Sequence, residues 1–257
     1  MAFTRYTFSL VAAAAIVLLI AGLSSHRQGI STSLPHAATR LLDFGRSKPS
    51  FYEQALETVP DKVTGHKYQH MYQKYLPALR NRRIKMLQIG LGCDMDSGPG
   101  GIYHLWLEYF ANIDLHFIEK DAACTKKYRA KTTGATIHTD STFLESLVKD
   151  TGGDFDIIID TGEHSMVQQR TSFYRLFKAL APGEVYFCEG LQTSFDEQYG
   201  GGELASQENA SMMMSIGEMI WDMSRADKHE VLEEAGELLS VYCMAEICAF
   251  WKLGSGD

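Results

Sequence analysis

A chain of 257 residues, 45% of them hydrophobic, can bury one large core, and the rest of its pattern adds an N-terminal appendage to a single domain. The net charge of −8 argues against a nucleic-acid partner, because affinity for phosphate backbones rests on a basic surface; a small-molecule substrate is expected instead. The five cysteines show neither CxxC spacing nor a Cys/His cluster, which argues against zinc, and Cys188, Cys243 and Cys248 sit in apolar runs that read as buried thiols.

Residues 1–27 form a separate object. Arg5 precedes an uncharged apolar run from Phe8 to Leu23, and Ser24-Ser25-His26-Arg27 follows. The run is short for a span of about 20 residues, yet longer than a signal-peptide core of about 7–15 residues. We read it as a hydrophobic helix anchoring the chain once in a membrane of the secretory pathway. A cleaved signal at Ala21-Gly22-Leu23-Ser24, giving a secreted protein, is the alternative. Basic residues on both flanks (Arg5; His26, Arg27, Arg40) orient the segment only weakly. With the domain in the lumen, Asn209-Ala210-Ser211 becomes a glycan acceptor motif.

Residues 28–50, rich in Ser, Thr, Gly and Pro, read as a linker, and the folded domain is expected over 51–257. Glu53 to Val59 predicts a short helix. Pro60 to Gly65 breaks the pattern, and a second helix carries Tyr68, Met71, Tyr72, Tyr75 and Leu76 and ends at Pro77 or soon after. These aromatics suit core packing. A helix ahead of the first strand can also lie over a ligand cleft, with His66, Tyr68 and Tyr72 facing inward.

Lys85 to Ile89 predicts a strand, followed by Gly90-Leu91-Gly92, a long loop to Gly101 and a helix from about Ile102 to Phe110. Glycines let the backbone approach a ligand, and the helix offers its N-terminus to a polar group. A second strand, Leu115 to Ile118, ends at Glu119, where an acid is placed to hydrogen-bond ribose hydroxyls. A third, Ala135 to Ile137, leads to Asp140. Gly90, Glu119 and Asp140 therefore come from successive strand ends and point to an adenosine-type ligand. A dinucleotide fits less well. The loop is long, contains Pro99 and carries Asp94 and Asp96, which would repel a pyrophosphate but tolerate the cationic sulfonium of S-adenosylmethionine.

The stretch from Asp154 to Phe195 organises the rest. Ile157, Ile158 and Ile159 form a β-branched run ending at Asp160, and Val185 to Cys188 repeats the pattern and ends at Glu189. Phe173, Leu176, Phe177 and Leu180 fall at helical spacing between them, with Pro182-Gly183 as the turn into the second strand. In such a βαβ crossover Asp160, His164, Glu189 and Gln192 should converge at the carboxyl edge of the sheet. Gly200-Gly201-Gly202 then reads as a flexible loop before a Met-rich helix over Met212 to Met223. That stripe suits core packing, an apolar acceptor or a partner helix.

From about Asp61 to Lys252 the chain resembles the class I S-adenosylmethionine-dependent methyltransferases. The group in question includes metal-dependent sugar O-methyltransferases of macrolide biosynthesis and membrane-anchored fungal relatives associated with natural-product pathways. The resemblance is carried by DKVTGHKYQHMYQKYL (Asp61 to Leu76), MLQIGLG (Met86 to Gly92), FDIIIDTGEH (Phe155 to His164) and EGLQTSF (Glu189 to Phe195). It implies an α/β fold: a Rossmann-like seven-stranded sheet with helices on both faces, the last two strands an antiparallel pair over Glu237 to Tyr242 and Glu246 to Leu253. It also implies S-adenosylmethionine held by Gly90, Gly92, Glu119, Asp140, Asp160, Lys62 and Tyr68, with His164 as the catalytic base and Asp160 beside it.

In that family a magnesium ion held by carboxylates positions the acceptor hydroxyl. Here Thr161 stands where the first carboxylate should be and Gly190 where the last should be, and only Glu189 keeps a metal-liganding position. Further departures are Gln88 for a Glu, Glu184 for a second turn Gly and a shortened stretch after Thr139. Cofactor binding is thus better supported than metal-assisted transfer. The expected function is O-methylation of a hydroxylated small molecule in a secondary-metabolite pathway. A methyltransferase-fold protein without methyl transfer, serving as a partner subunit or as a cyclisation or rearrangement catalyst, is the alternative; an NAD-dependent oxidoreductase is disfavoured by the loop. Restoring Asp at 161 and 190 is expected to create metal-dependent activity if the chain transfers no methyl group.

Overall fold

The computed structural model describes residues 48–93, 100–121, 123–124, 132–135, 141–206, 209–224 and 237–256. The apolar run from Phe8 to Leu23 and Asp94, Asp96 and Asp140 lie outside them. Among the described residues, no helix is long and apolar enough to cross a membrane.

The strands are β1 (Arg83–Ile89), β2 (Asn112–Glu119), β3 (Thr132–Ala135), β4 (Phe155–Asp160), β5 (Leu180–Glu189), β6 (Leu238–Cys243) and β7 (Ile247–Lys252). They form one seven-stranded sheet in the order β3-β2-β1-β4-β5-β7-β6. The first five pair in parallel, and β7 runs antiparallel to both β5 and β6. Alternation along the strands serves two cores. Ile84 and Met86 of β1 join one and Leu87 and Ile89 the other; Val185 and Phe187 of β5 face the first, Tyr186 and Cys188 the second.

The first core is completed by α1 (Phe51–Thr58), α3 (Gln69–Leu79) and α4 (Gly101–Tyr109), through Phe51, Tyr72, Leu76 and Trp106. The second is completed by α5 (Ser141–Thr151), α6 (Met166–Leu176) and α7 (Met212–Met223), through Leu144, Phe173, Met212 and Met219. Helices thus cover both faces, as expected. Residues around α7 also expose Trp221 and Ile220. α1 begins at a capping box: Ser50 accepts from the Glu53 amide while Glu53 reaches back to the Ser50 amide at 2.7 Å. Pro60 to Gly65, expected to be irregular, contains the short helix α2 (Asp61–Thr64), and α3 ends at Leu79, two residues after Pro77, as expected.

Two readings of the β4–β5 unit need correction. Leu180 does not continue α6; a short 3-10 turn, Phe177–Ala179, intervenes and Leu180 opens β5 opposite Phe155. Pro182-Gly183 lies within β5, where the register with β4 shifts, because Pro has no amide to give a ladder and Gly183 adopts φ +78°. The cysteines also differ from the expectation of buried thiols. Cys243 and Cys248 face each other across the β6–β7 hairpin and are disulfide-bonded, and a second disulfide joins Cys93 to Cys124; Cys188 alone keeps a buried thiol among the described cysteines. Two apolar runs on adjacent strands look alike whether their thiols are free or joined.

Candidate functional site

The chain runs outward from β1 through β2 to β3, crosses back to β4 on the other side of β1 and runs outward to β5, so the strand order reverses between β1 and β4 and a crevice opens there at the carboxyl ends of the strands. There a cavity of about 230 Å³ is lined by thirteen residues, from Asp61, Lys62, His66 and Tyr68 through Gly90, Gly92, Glu119, Lys120 and residues 161–164 to Glu189.

One half of this cleft is made of backbone. The Gly90 amide donates to the Ile118 carbonyl at 2.8 Å and the Thr161 amide to the Ile89 carbonyl at 3.0 Å, which ties β1 to its two neighbours. Gly90 has φ +88°, and a Cβ on it would lie 2.4 Å from the Thr161 carbonyl oxygen, so no other residue fits. Glu119 ends β2, 5% exposed. Its carboxylate accepts from the Leu91 amide at 2.9 Å and the Asp121 amide at 3.0 Å, which leaves each oxygen a further lone pair toward the cleft.

The other half is made of side chains from distant elements. Glu189, at the end of β5, is 1% exposed; one carboxylate oxygen accepts from the Lys62 ammonium and the other from the Tyr72 hydroxyl at 2.5 Å. Its carbonyl accepts from Gln169 Nε2 at 2.8 Å. The Gly190 amide donates to the Tyr68 hydroxyl at 3.2 Å, and the Tyr68 ring stacks on His66, which bridges Asp61 and Glu246. Burial, reinforced by the Glu189 charge, pushes the Tyr68 and Tyr72 phenols well above their ordinary range, so both act as neutral hydrogen-bonding groups.

His164 is held in a left-handed conformation, φ +60°. Its amide donates to Gln168 Oε1 at 3.2 Å and its carbonyl accepts from the Thr193 hydroxyl at 2.8 Å. The imidazole occupies the space beside Gly190: a Cβ built there would lie 1.8 Å from His164 Nδ1. Burial lowers the His164 pKa below 6.5, against the pull of the Glu189 carboxylate, so the ring is neutral at neutral pH and able to accept a proton.

Asp160 does not line the cleft. It is 1% exposed, and its oxygens accept from Gln168 Nε2 at 2.8 and 2.9 Å, from the Tyr186 hydroxyl at 3.1 Å and from the Gly162 amide at 3.2 Å. Burial raises its pKa to about 6 despite these donors. Its place is beneath the turn that presents His164. Gln192 is exposed rather than part of the cleft.

No family model matches the chain. Over 153 residues it is 32% identical to the 8-demethyl-8-alpha-L-rhamnosyl tetracenomycin-C 2'-O-methyltransferase of Streptomyces olivaceus, a match covering 59% of this chain and 40% of that protein. It is 27% identical over 199 residues to the demethylmacrocin O-methyltransferase of Streptomyces fradiae, covering 77% of this chain and 49% of that one. A methyltransferase from the mycinamycin biosynthetic pathway, solved in complex with Mg and SAH, superposes with a TM-score of 0.71 at 22% identity, covering 83% of this chain and 57% of the other. Over part of its length the chain is similar in sequence to O-methyltransferases acting on macrolides and glycosylated polyketides, and in fold to a methyltransferase of this kind. It spans about two fifths to a half of the length of these curated relatives.

The glycines and Glu119 fit an adenosine-type cofactor: backbone that can be approached closely and an acid with lone pairs to spare. A divalent ion does not fit. Glu189 is paired with the Lys62 ammonium, whose charge opposes a second cation, Asp160 is satisfied by Gln168, Tyr186 and Gly162, and positions 161 and 190 carry no carboxylate. Among the described residues no group of three or more His, Cys, Asp or Glu could hold a metal. Restoring Asp at 190 is also excluded as a simple repair, because its Cβ would displace His164. Sequence reasoning missed Gln168 and Gln169. Two glutamines and Ser172 on the face of α6 that should be apolar were the available signal.

Proposed function

We propose that this protein is an S-adenosylmethionine-dependent O-methyltransferase acting on a hydroxyl of a small natural product, a sugar-bearing one being the favoured class. The observation that carries this reading is the neutral, half-buried imidazole of His164 on the floor of a cleft whose opposite side is glycine backbone and Glu119. When bound, S-adenosylmethionine supplies a methyl group activated by its sulfonium. Gly90 and Gly92 admit it to the backbone and Glu119 takes its ribose hydroxyls. His164 receives the acceptor's hydroxyl proton, which makes the oxygen a competent nucleophile. Gln168 and Thr193 fix its backbone, and the neighbouring Glu189 stabilises the imidazolium that forms. Tyr68 and His66 close the wall over this pair.

The test is calorimetric binding of S-adenosylmethionine and S-adenosylhomocysteine to the full chain, followed by transfer of a labelled methyl group to glycosylated polyketides. Micromolar binding, and transfer that His164→Gln lowers by about 10² to 10⁴, is expected. Binding without transfer to any hydroxylated acceptor would leave the non-transferring alternative, and absence of binding would overturn both readings.

The single-pass anchor with a lumenal domain is part of the proposal. It is supported by two disulfides among the described residues, since such bonds persist in oxidising compartments, and by an exposed Asn209 in the glycan acceptor motif. Carbonate extraction and glycosidase sensitivity of the protein in its native membranes test it; a freely extracted, unglycosylated protein would exclude it.

A further inference from the structure

Lys62 is a buried cation in a cleft built for a cationic cofactor, and it needs an explanation. It is 6% exposed and its partner Glu189 is 1% exposed, and burying such a pair is costly unless geometry and further hydrogen bonds offset it. The pair is fixed at both ends. The Lys62 carbonyl accepts from the Tyr68 amide at 2.8 Å and its amide donates to Val59 at 3.1 Å, while Glu189 is held by Tyr72 and Gln169. The Lys62 amino group also stands 5.5 Å from the centre of the Tyr68 ring. An ammonium has three N–H groups, of which the ion pair uses one, and Lys62 lines the same cavity as His164.

We propose that Lys62 is the resident cation of this site: its ammonium occupies the carboxylate that a divalent ion would need, so the site works without metal, and its other N–H groups bind the acceptor's oxygen beside His164. This rests on the methyltransferase reading of the cleft. Three features agree with it. Glu189 is neutralised from within the chain, the neighbouring position is glycine rather than a second ligand, and the space that a side chain at 190 would fill is taken by the base itself. The pair carries no net charge, so it does not repel a sulfonium.

The experiment uses the full chain with manganese(II) as the probe, followed by its spin-resonance signal, and S-adenosylhomocysteine binding measured in magnesium and in chelator. Wild type and Lys62→Arg should leave manganese free up to millimolar concentrations, and cofactor-product affinity should differ by less than about twofold between the two conditions. Lys62→Met frees Glu189 and should raise manganese affinity by about tenfold or more, a gain lost again when Glu189→Gln is added. Micromolar manganese binding by wild type that Glu189→Gln removes would overturn the proposal, as would a folded Lys62→Met variant with no gain. If Lys62→Met does not fold, wild type and Lys62→Arg still decide. Failure of S-adenosylhomocysteine to bind any variant would defeat the methyltransferase reading and leave the manganese result legible.

Discussion

The two halves of the cleft are built by different means. The Gly90–Glu119 half is backbone and one acid, each set by the end of its own strand, so a ligand there meets groups whose positions follow from the sheet. The His164–Glu189 half is assembled from α2, α3, α6 and the ends of β4 and β5, and its hydrogen bonds span up to 127 residues. A sheet-edge site can keep its cofactor half while its chemical half is rebuilt. Here the chemical half holds an ion pair, a glycine and a positioned imidazole.

The largest effect that separates the halves is expected at Gly190. Gly190→Asp places a Cβ in the His164 ring at φ +71°, so the imidazole must leave. Methyl transfer should fall by about a hundredfold or more and stability by about 2–4 kcal/mol, with no gain of magnesium dependence. Magnesium-dependent transfer by this variant would show that the chemical half still holds a latent metal site. His164→Gln comes next. Transfer should fall by about 10² to 10⁴ while S-adenosylhomocysteine affinity is unchanged, since a general base acts only on the acceptor proton. Because burial lowers the His164 pKa, the ring stays a competent base on the acid side of 6.5, and the acidic limb of the pH–rate profile should lie below that value. A limb above 6.5 would assign the proton to another group.

Glu119→Gln should do the reverse. It loses a charged acceptor for the Leu91 and Asp121 amides and for the ligand, and S-adenosylhomocysteine affinity should weaken by about 1.5–3 kcal/mol. Loss of transfer at saturating cofactor, with affinity intact, would contradict the division of labour between the halves.

That division also decides what could be read in advance. Ile157 to Ile159, Val185 to Cys188 and the acid that ends β2 announce themselves, because strand burial and strand-end chemistry are local in sequence. The partnership of Lys62 with Glu189 is not local, nor is the fit of His164 against Gly190. A glycine in a functional motif gives no sign of which side chain uses its missing Cβ. Gln168 and Gln169 were legible only as an interruption of an apolar helix face, and Leu180 belonged equally to a helical stripe and to the strand that follows. The Cys243–Cys248 bond depends on hairpin register, which two short apolar runs do not fix.

The smallest effect at neutral pH, and the most exact test of how the chemical half is supported, is Asp160→Asn. Burial raises the Asp160 pKa from the usual 3.8 to about 6, so the folded protein holds a proton there that the unfolded chain has released. Stability linked to this group is therefore present below pH 3.8, is lost as pH rises through about 6, and amounts to about 3 kcal/mol across the window. Above it, the variant escapes the cost of a buried charge but sets its amide against the donors Gln168 and Gly162, and the two changes should leave it within about 1 kcal/mol of wild type. Chemical denaturation from pH 4 to 8 should then show wild type losing stability relative to Asp160→Asn up to about pH 6 and running parallel to it beyond. A wild type that gains relative stability over that interval would mean that Gln168, Tyr186 and Gly162 outweigh burial and keep Asp160 ionised. The platform under His164 would then be negatively charged throughout that interval rather than only above about pH 6.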